Sequence, residues 1–364
     1  MDKLKNLSKF ARTNIQAYGM IILAFVILYP MLSAGMINNS ISGQLVPICA
    51  YIVMAISLNL TVGFLGELSL GHAGFMSVGA FSGVITVAFM KDLVAAEPLM
   101  LLAAVIVGGI MAGIAGLIIG IPVIRLRGDY LAIVTLAFGE IIKNIINCLY
   151  VGVDKSGIHL SMSSVEALGV AAEDVVLKGP QGAVGITKLA TFGSGILLIL
   201  FSLFVVLNLI NSKTGRAVTA IRDNRIAAES VGINVTKYKL TAFIISAMIA
   251  GMAGALYAMN FSTIAAKKFD FNTSILILVF VVLGGMGNIP GSILATALLY
   301  MLPELLREFS DYRMLIYAIV LILVMLATNN EKLKQRLAKV RVKIGVGKKH
   351  NSELAKGEGG ASGE

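Results

Sequence analysis

Charged side chains are rare in the apolar stretches of this sequence, and the few that occur there are the first candidates for chemistry. Glu140 lies near the centre of the apolar stretch 130–150, and Lys143 follows three residues later. A lone carboxylate in hydrocarbon is costly and needs a partner or water, and residues three apart share one face of a helix. The two residues therefore either line a water-filled pathway through the protein or form a structural ion pair between packed helices.

A second group of polar residues lies in and beside the glycine-rich stretch 63–75, GFLGELSLGHAGF. The ends of broken helices offer free backbone groups that can bind a carboxylate or an ammonium group. The same pattern fits a tight turn with close helix packing. A similar glycine break, GGMGNIPG, occurs at 284–291. The candidate substrate-pathway residues of these three stretches are Asn59, Glu67, Ser69, His72, Glu140, Gly285 and Asn288.

The motifs of common enzyme classes are absent from the sequence. It has no G-x-x-x-x-G-K-[ST] loop for ATP, no H-E-x-x-H zinc motif and no G-x-S-x-G nucleophile motif. Cys49 and Cys148 are isolated, which predicts neither a disulfide framework nor a metal cluster. We therefore expect no catalytic residues, no metal and no cofactor bound by this chain, which predicts a protein that is not an enzyme.

The elements that must position the polar residues are membrane helices. Of the 364 residues, 57% are hydrophobic and 14% are charged, and the mean hydropathy is +0.87. A soluble domain cannot bury that much apolar surface, and apolar stretches of about 15–25 residues without alternation favour helices over a barrel. The net charge is +10, and the basic residues are concentrated in a few loops and the tail. Cytoplasmic loops of membrane proteins have this bias, so the charge does not indicate a nucleic-acid partner.

The sequence predicts an all-α, multi-pass protein of the cell membrane. We expect about ten transmembrane helices, including glycine-broken half-helices, with both termini in the cytoplasm. The basic N-terminus stays inside, and the basic tail also does so if the stretch 271–302 turns back at its glycine break. The predicted spans are 20–36, 46–62, the apolar helix to residue 89, 99–124, 130–150, 189–210, 240–259, the two halves of 271–302, and 314–328.

Polar regions complete the predicted organisation. Residues 1–330 form the transmembrane domain, and the stretch 151–188 is its least apolar internal segment and is expected outside the membrane. The segment 211–239 is expected in the cytoplasm. The tail 331–364 is basic and then rich in glycine and serine, a composition that predicts disorder.

The stretch 214–234 within this cytoplasmic segment predicts two short amphipathic helices. Thr214 is a candidate cap of the first, and Asp223 or Asn224 of the second. One apolar face carries Ala217, Val218 and Ile221, and the other carries Ala227, Ala228 and Val231. Such a face fits insertion into a groove on a soluble partner. An ordinary solvated helical loop is the alternative interpretation.

Several landmarks together resemble one known family, the second (M-type) class of membrane permease subunits in ATP-driven importers for branched-chain amino acids. The resemblance covers most of residues 44–328. Its landmarks are SLNLTVGFLGELSLGHAGF at 57–75, LRGDYLAIVTLAFGEII at 126–142, GPQG at 179–182, TGRAVTAIRDNRIAAESVGIN at 214–234, AFIISAMIAGMAGALYA at 242–258 and VLGGMGNIPGSILATALLYMLPELLR at 282–307.

The resemblance implies that the segment 211–239 couples the chain to an ATPase subunit. In such importers a cytoplasmic helix docks in a cleft of the ATPase and carries a Glu-Ala-Ala…Gly signature. Here the order is Ala-Ala-Glu, and the glycine follows sooner. The implied coupling residues are Arg216, Ala217, Ile221, Ala227, Ala228, Glu229 and Gly232.

The resemblance also implies a set of partners in the lipid membrane. These are a second, related permease subunit that forms a heterodimer, two ATPase subunits that carry ATP and Mg²⁺, and an extracytoplasmic binding protein that docks near 151–188. The implied function is inward passage of leucine, isoleucine or valine by alternating access. Permeases for urea and short amides share the landmarks, and an ion-coupled secondary transporter or channel that uses Glu140 is an alternative of another class. A membrane-embedded enzyme lacks a catalytic constellation.

Overall fold

The computed structural model describes residues 9–36, 38–91, 93–94, 96–126, 128–154, 157–171 and 174–307, together with residues 315, 318, 319 and 322. The chain divides into two units, residues 1–304 and 305–364, and the architecture below is that of the first. In the second unit, four residues of the predicted span 314–328 are described and are helical. The predicted tail 331–364 lies outside the described residues.

Helices dominate the described chain. They are α1 Lys9–Ser33, α2 Asn39–Asn59, α3 His72–Met90, α4 Glu97–Val123, α5 Asp129–Asn147, α6 Phe192–Asn211, α7 Lys213–Asp223, α8 Arg225–Ser230, α9 Val235–Ala258, α10 Phe271–Gly284 and α11 Ile289–Leu305. Within the described residues, seven helices, α1 to α6 and α9, are long and apolar enough to cross a membrane. The helical, polytopic class is confirmed, whereas the count of about ten spans and the sides of the termini stay predictions.

The polar stretch 151–188 contains a sheet that the prediction of an all-α protein missed. The strands β1 Tyr150–Asp154, β2 Gly157–Ser161, β3 Val175–Lys178 and β4 Ala183–Val184 join β5 Thr263–Ile264. They form an antiparallel sheet in the order β2-β1-β3-β4-β5. The strands are two to five residues long, which is too short for a clear alternation of apolar and polar residues. In addition, β5 is separated from its partner β4 in the sequence by the four helices α6 to α9. We call this end of the bundle the sheet end.

Glycine sets the packing of the central helices α3, α4 and α9. A Cβ atom at Gly79 of α3 would lie 2.0 Å from the carbonyl oxygen of Gly251 in α9, and one at Gly254 would lie 1.9 Å from that of Met76. A Cβ at Gly251 would also lie 2.5 Å from the carbonyl oxygen of Gly108 in α4. The three backbones therefore touch, as small residues allow in membrane helices.

The helices α10 and α11 form a hairpin beside α2. The chain turns at the predicted break, where Gly285 and Gly287 have φ angles of 95° and 78°. The hydroxyl of Tyr300 near the end of α11 donates to Gln44 Oε1 at the start of α2, at 3.4 Å. Because α10 begins just after β5, the hairpin starts and ends at the sheet end. Its turn therefore lies at the opposite end, near α7 and α8.

The contact between α3 and α9 gives the first testable prediction. Gly79→Val should force the two backbones apart, because its Cβ would lie 2.0 Å from a backbone oxygen. Overpacking of this kind costs about 1–3 kcal/mol, so the apparent melting temperature of the purified protein, followed by circular dichroism, should fall. The control is Gly193→Val on α6, where a Cβ meets nothing within 4 Å. Equal melting temperatures for the two variants would show that close backbone contact does not stabilise the bundle.

Candidate functional site

The glycine-rich stretch 63–75 begins as a continuation of α2. The helix widens into a π-helical turn at Leu60–Leu65, and Gly66 ends that turn with a left-handed φ of 76°. The chain then runs without regular structure to His72, where α3 begins. A π-helical turn inside a longer helix is a local irregularity that often marks a functional site.

The two predicted glycine breaks meet each other at the end of the bundle near α7. The carboxamide of Asn59, which is fully buried, accepts a hydrogen bond from the N–H of Gly287 at 2.8 Å. It also donates to Ser292 Oγ at 2.9 Å. A Cβ at Gly63 would lie 1.9 Å from Asn59 Oδ1 and 2.3 Å from the Gly287 nitrogen. We call these four residues the glycine junction, and no side chain fits between its two backbones.

Gly285 and Asn288 shape the turn that leads into the glycine junction. Gly285 supplies a backbone conformation that L side chains rarely adopt, with a φ of 95°. The side chain of Asn288 donates to the carbonyl of Gly284 at 3.3 Å and accepts from the N–H of Gly291 at 3.4 Å. Asn288 is exposed, so the observed contacts of this candidate pathway residue are those of a turn-forming side chain.

His72 lies in a buried polar cluster, and Ser69, three residues earlier in the chain, is also buried. His72 Nε2 is 2.7 Å from Ser57 Oγ, and Ser57 Oγ donates to the carbonyl of Ser246 at 2.6 Å, which joins α3, α2 and α9. His72 Nδ1, Ser69 Oγ and Ser77 Oγ are buried without a hydrogen-bond partner within the described part of the chain.

Neighbouring helices use the free backbone groups at the start of α3. The N–H of Leu70 donates to Thr135 Oγ1 on α5 at 3.1 Å. The N–H of Ala73 donates to Ser274 Oγ on α10 at 3.2 Å. Two of the backbone N–H groups that we predicted to be free for a ligand at this helix end therefore donate to hydroxyl groups of the protein instead.

Two ion pairs involve predicted pathway residues. Glu67 pairs with Lys239 at the start of α9, and their side chains are 17% and 8% exposed. Glu140 pairs with Lys143 one turn later on α5, as the spacing predicts. The structure therefore places the predicted pathway residues in different contacts: Asn59 in the glycine junction, Glu67 against α9, and Glu140 on α5.

Capping side chains define the predicted cytoplasmic helices α7 and α8. Ser212 Oγ accepts from the N–H of Gly215 at 3.2 Å, so Ser212 caps α7 and the prediction of Thr214 was wrong. Asn224 Oδ1 accepts from the N–H of Ala227 at 3.0 Å and caps α8, as one of the two predicted candidates. Gly232 follows with a φ of 83° and ends the pair. The short polar side chains at these positions explain why the chain bends twice here.

The apolar face of α7 is turned towards the chain itself. Val218 packs with Leu65 and Ala242, and Ile221 packs with Ala228 and Val235. Our expectation that the apolar faces insert into a partner is therefore corrected for the four buried residues Ala217, Val218, Ile221 and Ala228. The exposed surface of the segment instead carries Arg216, Ile226, Ala227, Glu229, Val231 and Gly232.

Arg222 is a contact residue that the sequence analysis missed. Its Nη1 donates to the carbonyl oxygen of Gly63 at 3.1 Å, and its Nε and Nη2 donate to Asp223 Oδ1 at 3.0 and 2.9 Å. Its stem lies over Gly66, where a Cβ would be 2.7 Å from Arg222 Cγ. Its position four residues after Val218 was the available signal, because residues four apart lie on one face of a helix and Val218 belongs to the predicted apolar face.

The described residues contain no group of three histidine, cysteine or acidic side chains that could hold a metal ion. The free cysteines are Cys49, which is buried, and Cys148, which is exposed.

Comparisons with known proteins give consistent matches. The family model described as branched-chain amino acid transport system / permease component matches residues 40–325. The chain is 33% identical to the high-affinity branched-chain amino acid transport system permease protein LivM of Escherichia coli over 332 residues, which cover 82% of this chain and 71% of the relative. It is 25% identical to a probable LivM of Methanocaldococcus jannaschii over 290 residues, 72% and 79% of the two chains.

A more distant relative is the L-arabinose ABC transporter permease protein AraH of Azospirillum brasilense, 28% identical over 249 residues, 66% of this chain and 64% of the relative. No solved structure gives a significant match.

The largely buried ion pair Glu67–Lys239 gives the second prediction. Glu67→Gln leaves the Lys239 ammonium buried without its counter-charge, and breaking a buried pair in this way costs about 3–5 kcal/mol. The apparent melting temperature should therefore fall clearly, and Glu67→Gln combined with Lys239→Met should recover part of the loss.

The control for this experiment is the pair Arg225–Glu229 on α8, whose side chains are 34% and 48% exposed. Glu229→Gln should change stability by no more than about 1 kcal/mol, as for exposed pairs in general. If Glu67→Gln were as mild as Glu229→Gln, Glu67 would not act as a structural partner of Lys239, and its role as a pathway residue would gain support.

Proposed function

The chain belongs to the family of branched-chain amino acid transport system permease components, and from this premise we propose that it is the membrane-spanning subunit of an ATP-driven importer for leucine, isoleucine and valine. The observation that carries the proposal is the family match over residues 40–325, which includes both glycine breaks and the segment 211–239. The seven long apolar helices fit a multi-pass membrane protein. As a permease subunit it is a transport component and not an enzyme.

The proposed mechanism is alternating access, in which two arrangements of the helices open the pathway to one side at a time. The glycine junction supports it, because two chain breaks from distant parts of the sequence meet at one end of the bundle. Irregular backbone of this kind is tolerated at membrane depth where it is enclosed by protein or lines a cavity. We propose that the pathway passes the glycine junction, and that Asn59, Glu67, Ser69, His72, Glu140, Gly285 and Asn288 are candidate residues along its length.

We further propose a topology and domain organisation for the chain. About ten spans with both termini in the cytoplasm would place α7 and α8 in the cytoplasm and the sheet outside. The α10–α11 hairpin supports an even number of spans, because its second helix returns the chain to the sheet end. One further span would then bring the basic tail to the cytoplasmic side, where the charge rule places it. Residues 1–330 would form the transmembrane domain, with the tail 331–364 beyond it.

ATPase subunits are the proposed partners at α7 and α8. The chain has no phosphate-binding loop, so ATP and Mg²⁺ would be held by two separate subunits. Two large apolar side chains are exposed there, Ile226 by 79% and Val231 by 75%. They offer the apolar contact that a cleft on a soluble partner needs. The implied coupling residues then divide into two sets: Arg216, Ala227, Glu229 and Gly232 at the surface, and Ala217, Ile221 and Ala228 behind it.

The remaining proposed partners are a second, related permease subunit, which would form a heterodimer with this chain, and an extracytoplasmic binding protein. For the binding protein we propose the sheet as the docking surface. The strand β2 lies at one edge of the sheet, and it and the residue that follows expose Ile158, Leu160 and Met162. Exposed apolar side chains at alternate positions of an edge strand form a surface that another protein can cover.

Transport by the reconstituted complex is the third prediction. Proteoliposomes that contain this chain, its second permease subunit and the ATPases should take up radiolabelled leucine, isoleucine and valine, and uptake should require both ATP and the binding protein. Urea and L-arabinose in the same assay serve as substrate controls. Uptake by this chain alone, driven by an ion gradient, would replace the importer with a secondary transporter or channel. Preferred uptake of urea or arabinose would change the substrate class.

Replacement of an exposed coupling residue is the fourth prediction. Ile226→Glu puts a charge into the proposed apolar contact without disturbing the packed core. A central apolar residue of an interface is often worth about 2 kcal/mol, which corresponds to about 30-fold in affinity. The affinity for the ATPase subunit should fall by that order, measured by binding to the purified permease.

The control is Leu93→Glu, at another exposed apolar residue in the connection between α3 and α4. It should leave ATPase binding unchanged. If Ile226→Glu also binds normally, the exposed face of α8 is not the docking surface.

A further inference from the structure

The side chain of Arg222 connects α7 directly to the π-helical turn at the end of α2. Its guanidinium donates to the carbonyl of Gly63 at 3.1 Å, and its stem lies over Gly66. The contact joins residues 159 positions apart. Any displacement of α7 relative to α2 must therefore break this hydrogen bond or move the turn with it.

The turn that Arg222 contacts lies between two fixed supports. The part of α2 before it is almost entirely buried, and the connection after it is fastened to α9 by the Glu67–Lys239 pair. A π-helical turn closes i→i+5 hydrogen bonds where an α-helix closes i→i+4 bonds, so rewinding it moves the residues at its ends, including Asn59. A displacement of Gly63 is therefore expected to act on Leu60–Leu65 and on the adjoining Asn59 more than on the rest of α2 or on the connection to α3.

The opposite side of the same turn closes the glycine junction. Gly63 lies so close to Gly287 that no Cβ fits between them, and Asn59, immediately before the turn, holds both Gly287 and Ser292. One carboxamide thus fastens the α10–α11 hairpin to α2. Rewinding of Leu60–Leu65 would shift Asn59 and Gly63 relative to the hairpin and separate these contacts.

We propose that Arg222, Gly63 and Asn59 form a relay that holds shut the gate at the α7–α8 end of the transport pathway and opens it when the ATPase moves α7. The gate is the glycine junction, and Arg222 is a positioning residue, since it acts through the carbonyl of Gly63. The relay rests on the proposed importer function. It adds to that function the contacts through which a movement of α7 at the docking surface would reach the gate.

The first test compares Arg222→Gln, Arg222→Lys and Arg125→Gln in the complete complex with both ATPases and the binding protein. Arg222→Gln should still assemble and hydrolyse ATP, but the amount of leucine moved per ATP should fall by about tenfold or more, as expected for loss of coupling between two sites. Arg222→Lys keeps a charged donor and should recover part of the ratio. Arg125→Gln removes an exposed arginine on the α4–α5 connection and should match the unmodified complex.

The second test reads the gate without transport. Thr296 is fully buried one turn beyond Ser292 on α11, and its hydroxyl donates to the carbonyl of Ser292, so Thr296→Cys leaves the Asn59 contacts in place. In a background with Cys49→Ser and Cys148→Ser, alkylation of this thiol by N-ethylmaleimide reports separation of the hairpin from α2. Arg222→Gln and Asn59→Ala should each raise the alkylation rate by about tenfold or more, whereas Arg125→Gln should not.

The outcomes separate the relay from the importer function. Unchanged leucine per ATP and unchanged alkylation in Arg222→Gln would overturn the relay while the importer stands. Loss of ATPase binding with a parallel loss of transport and no change in alkylation would make Arg222 a docking residue and also overturn the relay. If the unmodified complex moves no leucine with ATP, the importer function fails, and the alkylation result alone then decides whether Arg222 controls the junction.

Discussion

Close approach of backbones through glycine is the constraint on which the rest of this structure depends. At Gly79 and Gly251 the helices α3 and α9 touch without intervening side chains, and at Gly63 and Gly287 the broken ends of two segments do the same. In a membrane there is little hydrophobic driving force between helices, so packing contacts and hydrogen bonds must hold them together. Glycine also allows the breaks, because Gly66, Gly285 and Gly287 have positive φ angles that L side chains rarely adopt.

Breaks in membrane helices leave backbone groups that must find partners, since each unsatisfied group in hydrocarbon costs several kcal/mol. In this chain, side chains from elsewhere in the sequence supply those partners. Asn59 accepts from Gly287, Arg222 donates to Gly63, and Ser274 accepts from Ala73. The polar residues near the breaks therefore have a structural reason to be there, and this limits how far any one of them can be assigned to a ligand from its type alone.

The sequence predicted what depends on local pattern and missed what depends on distant contacts. Apolar length identified the seven long helices, glycine clusters identified both breaks, and Asn224 was among the predicted caps of α8. The sheet was missed because its strands are very short and β5 lies far along the chain from β4. The roles of Arg222 and Lys239 were missed for the same reason. A basic residue in or near a segment that is predicted to be cytoplasmic already fits the charge rule for membrane proteins, and the adjacent sequence does not reveal which distant residue it contacts.

The burial of the amphipathic face of α7 changes how the segment 211–239 can work. An apolar face that docked on a partner would leave α7 and α8 loosely attached to the bundle. Instead, Val218 packs against Leu65 of the π-helical turn, and Ile221 holds Ala228 and Val235 together. The segment is thus attached to α2 and α9 through its core-facing side, while Ile226 and Val231 remain at the surface. A force applied to that surface passes into the bundle at the turn, because the turn is where the buried face of α7 rests.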